Sequence, residues 1–176
     1  MKKELRSALQ SLCDEAMAEL SPEARRLKRL PKGSGYPGEI VFGHVLPGFA
    51  AFTSFVPVER SHAFTVELGW SLSGVFPTVG MRPSVGPEQA LASPQPAGFV
   101  RLSEFYDRSG PVWDVAPINA LDPSSFQRFM ELEMRTLDPD EAVALLRPLM
   151  RDAAERWSAH ALDFFAALQS RLETRQ

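Results

Sequence analysis

The sequence predicts an α+β domain: an antiparallel meander sheet of four or five strands with an N-terminal helix and long C-terminal helices packed on it. Three observations predict it. Leu5, Leu9, Leu12, Ala16 and Leu20 recur at helical steps of three and four. Three strand-like runs then follow one another between residues 39 and 70 with short connections. Finally, Leu146, Met150, Ala153, Trp157, Ala161, Phe164 and Leu168 form a second, longer helical stripe. A chain of 176 residues, 44% hydrophobic and 23% charged, is long enough to bury roughly 70% of its unfolded surface. One domain over residues 1–176 is therefore expected, helical over 1–30, sheet over 39–116 with a Pro-rich loop at 77–96, and helical over 122–173.

The first helix occupies the segment ELRSALQSLCDEAMAEL. Ser21, Pro22 and Glu23 supply an N-cap and a helix-starting proline, so a second short helix or turn begins there and ends by Pro31. The runs EIVFGHV (39–45), AAFTSFV (50–56) and HAFTVELGW (62–70) read as neighbouring antiparallel strands. In the third, Phe64, Val66, Leu68 and Trp70 alternate with Thr65, Glu67 and Gly69, the period of a sheet with one buried face. The first has apolar residues pointing both ways and reads as a central strand. Five prolines with Gly80 and Gly86 between Pro77 and Pro96 predict a long loop. After it, FVRLSEF and PVWDVAP supply a further strand or two with DRSG as the turn. Asp122-Pro123 and Asp138-Pro139 each pair an N-cap with a helix-starting proline, and Glu141 completes a capping-box spacing. Pro148 is expected to kink the last helix or divide it near Leu146.

Several functions are argued against by composition. A single cysteine, Cys13, excludes an intramolecular disulfide framework and a multi-thiolate zinc site within the chain. Charged residues stand where a secretory signal needs its apolar stretch, and nowhere do eighteen apolar residues run together, so a cytoplasmic protein without a membrane span is expected. Net charge is -3, unevenly spread, with eight Lys/Arg against five Asp/Glu in residues 1–32. A nucleic-acid binder usually advertises a strongly basic domain, and this chain as a whole does not.

GSGYPG at 33–38 spells G-x-G-x-x-G, yet it precedes a strand and lacks the helix N-terminus that a pyrophosphate needs; it reads as a helix-to-strand connector. GWSLSG at 69–74 misses the hydrolase elbow by one residue, with Ser73 where the second glycine belongs, so Ser71 is a weak nucleophile candidate. His44 and His62, with Glu67 or Glu59 as an added carboxylate, are a conceivable metal or acid/base set, although isolated histidines at strand ends are ordinarily packed or solvated. His160, beside Trp157 and Phe164 in sequence, reads as a partly buried, hydrogen-bonded histidine. Arg25, Arg26, Lys28, Arg29 and Lys32 form a basic run suited to a polyanion, or simply to solvent. If the Glu67 face of the sheet is covered, by a helix or another subunit, Glu67 needs a partner, and Arg101 is the candidate.

The strand FTVELGW, the later RLSEF, and the tryptophan in PVWDV together resemble a family of uncharacterised bacterial α+β domains. In that family an F-x-V-x-L-G strand is followed by an arginine-bearing strand and a tryptophan-containing segment. The resemblance implies a fold and carries over no catalytic residues. Expected function is a non-catalytic binding or protein-interaction domain, in one form a toxin-neutralising immunity protein. Its contact candidates are Arg25, Arg26, Arg29, Thr65, Glu67 and Arg101, without cofactor or metal, and its partner is another protein or a second copy through the C-terminal helix. The alternatives are a small hydrolase or metal-dependent enzyme using Ser71 or His44/His62/Glu67, and a polyanion binder through residues 25–32.

Overall fold

Leu5, Leu9, Leu12 and Met17 share one stripe of helix α1 (Lys3–Leu20) and are all buried. The computed structural model describes residues 1–58, 61–78, 80, 82, 85–106 and 113–174. After α1 come strands β1 (Arg25–Arg26), β2 (Ile40–Leu46), β3 (Phe49–Pro57) and β4 (Ala63–Ser71). Helix α2 (Pro87–Ala92), strands β5 (Ala97–Arg101) and β6 (Trp113–Asp114), and helices α3 (Pro123–Met134) and α4 (Pro139–Glu173) complete the order. Every strand pairing is antiparallel, in the order β1-β2-β3-β4-β5, with β6 on the same strand as β5 at the other end of β4. The β2–β3 meander turns on Pro47 and Gly48, where Gly48 takes φ 81°, a value that favours glycine at the third position of a tight turn.

One face of the sheet carries Phe42, Phe55, Phe64, Val66, Leu68 and Trp70 into a common core with α1 and α4. From α4 come Leu146, Met150, Trp157, Phe164, Phe165 and Leu168, all buried. Each such side chain contributes on the order of 1.5–3 kcal/mol by leaving water, which is why the long α4 stripe lies on the sheet and on α1. That stripe, the expected route to a homodimer, is thus buried within the chain.

The structure departs from expectation at several elements. The basic run begins in an edge strand, because Arg25 and Arg26 pair with Gly43 and Phe42 of β2 and so satisfy backbone groups that a short isolated helix would leave open. Although β1 is only two residues long, β2 is an inner strand with Ile40 and Phe42 buried on the helix side and Val41 on the other, as its apolar pattern predicts, and β3 and β4 are likewise buried on both faces. The face of β4 bearing Glu67 is covered within the chain, not by the C-terminal helix but by the segments before β2 and after β4. The Pro-rich stretch contains α2, where Pro87 sits in the first turn. The RLSEF segment leaves β5 as a 3-10 turn, Leu102–Phe105. α4 runs unbroken through Pro148, whose residue and the facing Ala144 are both exposed, so water can serve the carbonyl that the proline leaves unbonded. Asp138 caps α4 as its spacing predicts, its Oδ1 accepting from the Glu141 amide at 2.8 Å.

Candidate functional site

Alternation along β4 places Thr65, Glu67 and Gly69 on the face opposite the helices. Register brings Ser54 of β3 and Arg101 of β5 to either side of Glu67, and Phe52 and Phe99 to either side of Gly69. A second, smaller core of Val41, Phe52, Phe76 and Phe99 forms on this face. The Phe99 ring lies across Gly69: a Cβ there would come within 2.5 Å of Phe99 Cε1. Into this layer the segment after β4 inserts Arg82, whose side chain is wholly buried.

Arg82 is held through its two terminal nitrogens, while Nε is buried without a hydrogen bond among the described residues. Nη1 donates to Glu39 Oε1 at 2.5 Å and, more weakly, to Glu67 Oε2 at 3.5 Å, while Nη2 donates to the Ser34 carbonyl at 3.1 Å. Its guanidinium carbon lies 4.2 Å from the ring centre of Phe99, 4.7 Å from Phe76 and 5.2 Å from Tyr36, an aromatic enclosure that stabilises a desolvated cation. Glu39 also accepts from the Ser54 hydroxyl and, at 2.8 Å, from the Tyr36 amide. The GSGYPG segment thus has a use that its spelling does not advertise. It supplies Ser34 and Tyr36 to the enclosure around an internal arginine.

Glu67 is the less satisfied of the two buried carboxylates. Its side chain is 3% exposed, Arg82 stands 3.5 Å away and Arg101 Nε 3.9 Å from Oε1. Arg82 is therefore a nearer partner than Arg101, the one expected. Burial raises the Glu67 carboxyl above the usual carboxylate range; Arg82 and then Arg101 oppose this, while Glu39 and Glu104 add to it. Beside Glu67 lies a cleft of about 350 Å³ lined by Thr65, Arg101, Tyr36, Pro37, Val56, Pro57 and Val58 as well as Glu67 itself. Three of the expected contact residues, Thr65, Glu67 and Arg101, are thus brought together.

The histidines are not. His44 points to the helix side, where Nε2 lies 2.9 Å from Thr53 Oγ1 and Nδ1 3.1 Å from Ser21 Oγ, and the ring stacks on Trp157. Burial pushes it down to about 4. His62 precedes β4 at the far end of the sheet, roughly 25 Å along the strand direction from His44, against Phe129 and 3.4 Å from Glu133 Oε1; burial lowers it and Glu133 opposes. Glu67 is on the other face from His44, so the His44/His62/Glu67 set is not assembled. Glu59 and the turn at 107–110 lie outside the described residues. Ser71 is buried and its Oγ meets Ser73 Oγ at 2.8 Å, on the face away from His44. His160 is half-buried and stacks on Phe105 and Tyr106, ring contacts taking the place of the expected hydrogen bond. Among the described residues no three His, Cys, Asp or Glu are placed to hold a metal ion, and no helix is long and apolar enough to cross a membrane.

Arg25, Arg26 and Arg29 are exposed. Arg25 donates to the Pro22 and Ala24 carbonyls and Arg26 pairs with Asp14 of α1 at 2.6 Å, so these two serve local structure and do not join the cleft. A surface that sequence reasoning passed over is α3. Its inward side is Ser125, Phe129 and Leu132, while Phe126, Met130 and Met134, at successive steps of four, are exposed. Ile118 and Leu121, just ahead of the helix, are exposed as well. Lys2 Nζ holds the helix end by donating to the Glu133 and Arg135 carbonyls at 2.8 and 2.7 Å. The signal was available in the i, i+4, i+8 apolar spacing, which by itself reads equally as a core stripe. Comparisons with protein-family models, with curated proteins and with solved structures give no match.

Proposed function

We propose that this chain is a non-catalytic protein-interaction domain that docks through α3 onto a partner with a basic, apolar surface. The observation that carries this reading is the exposed row Phe126, Met130 and Met134, 56%, 36% and 75% exposed, with Leu121 at 93% beside it in sequence. Single exposed apolar residues are ordinary; a row of them along one helix is the form of a docking stripe. Charge favours a basic partner. Residues 117–141 hold six acidic side chains against two arginines. Both arginines are already paired, Arg128 with Asp122 and Arg135 with Glu141, each at 2.7 Å. A second copy meeting this face by twofold symmetry would set acid against acid, whereas a basic surface is complementary. The toxin-neutralising role is one specific form of this reading, with a basic toxin as the partner.

The test uses a synthetic amphipathic helix of leucine and lysine, with a leucine/glutamate helix as control. The intact protein should bind the basic helix, and Phe126→Ser with Met134→Ser should weaken binding by about tenfold or more. Equal binding of both helices by the native and substituted chains overturns the proposal. So does sedimentation showing a dimer that the same substitutions dissociate.

A further inference from the structure

We propose that the cleft beside Glu67 binds a small zwitterionic amino acid with an apolar side chain, its ammonium on Glu67 and its carboxylate on Arg101. This site shares no residue with α3 and does not depend on the docking proposal. Glu39 takes the Arg82 guanidinium at 2.5 Å together with the Ser54 hydroxyl and the Tyr36 amide, and so has three donors on its two oxygens. Glu67, equally deep, has no cation nearer than 3.5 Å among the described residues. A carboxylate has about four acceptor positions, and those of Glu67 that the arginines leave open lie at the wall of the cleft.

Arg101 is its complement on the neighbouring strand. Nε is buried and makes no hydrogen bond among the described residues, while the side chain as a whole is 41% exposed and lines the same cleft. An acceptor-rich and a donor-rich group thus stand side by side, each short of partners, as direct register neighbours. Glu39, Glu67, Arg82 and Arg101 together balance in charge. A ligand carrying both signs preserves that balance, while a lone anion would be set against Glu67 and a lone cation against Arg101. Glu104, the next acidic group, lines a different cleft with Gly86, Pro87 and Phe105. Thr65 adds a hydroxyl, and Pro37, Val56, Pro57 and Val58 give an apolar wall. The volume, near the lower end of small-molecule sites, suits an amino acid and not a nucleotide.

Calorimetric titration of the intact protein with leucine, valine and proline tests this. At least one should bind saturably at concentrations up to about 10 mM. Binding of that amino acid should fall by about tenfold or more when its carboxyl is removed, leaving the amine, and again when its amino group is removed, leaving the acid. Arg101→Met and Glu67→Gln should each weaken it comparably, with circular dichroism confirming the fold. The analogue series needs no variant and stays decisive if a substitution unfolds the chain. Absence of saturable binding, or binding of the amine or the acid alone as well as the amino acid, overturns the assignment.

Discussion

Arg82 shows how much one side chain organises here. It is a lone arginine in a proline-rich stretch, so nothing in its sequence neighbourhood distinguishes it. Only the folded chain reveals that Glu39, Ser34 and three aromatic rings are arranged around it. Arg82→Met would leave Glu39 buried without its cation. Removing one partner of a buried pair costs roughly 3–5 kcal/mol, so the denaturant midpoint should fall accordingly, and Glu39→Gln added to Arg82→Met should recover part of the loss. His44 makes a second prediction, this one about pH. Held neutral between Ser21 and Thr53, it titrates at about 4 instead of 6.5. Between those values the unfolded chain binds a proton that the native one does not. The contribution is complete above pH 6.5 and declines as pH falls toward 4, by about 3 kcal/mol in all. Glu67 acts in the opposite sense, since its raised affinity for a proton favours the native state at the acid end. Denaturation of His44→Gln at pH 7 and pH 4.5 should therefore show a shallower acid decline than the native protein.

Among the elements, those whose hydrophobic period is strong were legible in the sequence. α1, the three long strands and the capped start of α4 all form where spacing places them, because each must bury an apolar face and only one conformation aligns it. The basic run was not. Its local composition admits a helix, but the open edge of β2 offers Arg25 and Arg26 strand hydrogen bonds, a choice made by tertiary pairing. Pro148 is the converse case: the local rule calls for a break, and packing of Leu146 and Met150 on either side holds the helix together. Pro148→Ala would restore a backbone donor to the Ala144 carbonyl. Since proline in a helix interior costs about 3 kcal/mol, the substitution should raise the thermal midpoint, and an unchanged or lower midpoint would count against an unbroken helix at this point.

At the scale of the whole molecule, the sheet separates two kinds of chemistry. Its helix side is a large apolar core with one neutral histidine network, and its other side holds the buried ions and the cleft. The exposed stripe of α3 shares no residue with that cleft, so effects at the two should add. Phe126→Ser with Met134→Ser should weaken docking of the basic helix by about tenfold or more while leaving amino-acid titrations unchanged. Arg101→Met should do the reverse. Cross-effects of tenfold in either direction would mean that the two surfaces are coupled.

Of the candidate site, Thr65, Glu67 and Arg101 were legible because strand alternation puts them on one face and pairing brings neighbouring strands within reach. Arg82, Glu39 and Tyr36 were not, since their meeting depends on how two irregular segments fold over that face. Period and capping, which act over a few residues, determined the α+β class, the meander and the long terminal helices. Which buried carboxylate is closely paired and which is left open to a cleft was decided only by the tertiary structure, because burial and ion pairing join residues tens of positions apart. The same holds for α3, whose apolar row belongs to the core or to a partner according to which side the rest of the chain covers.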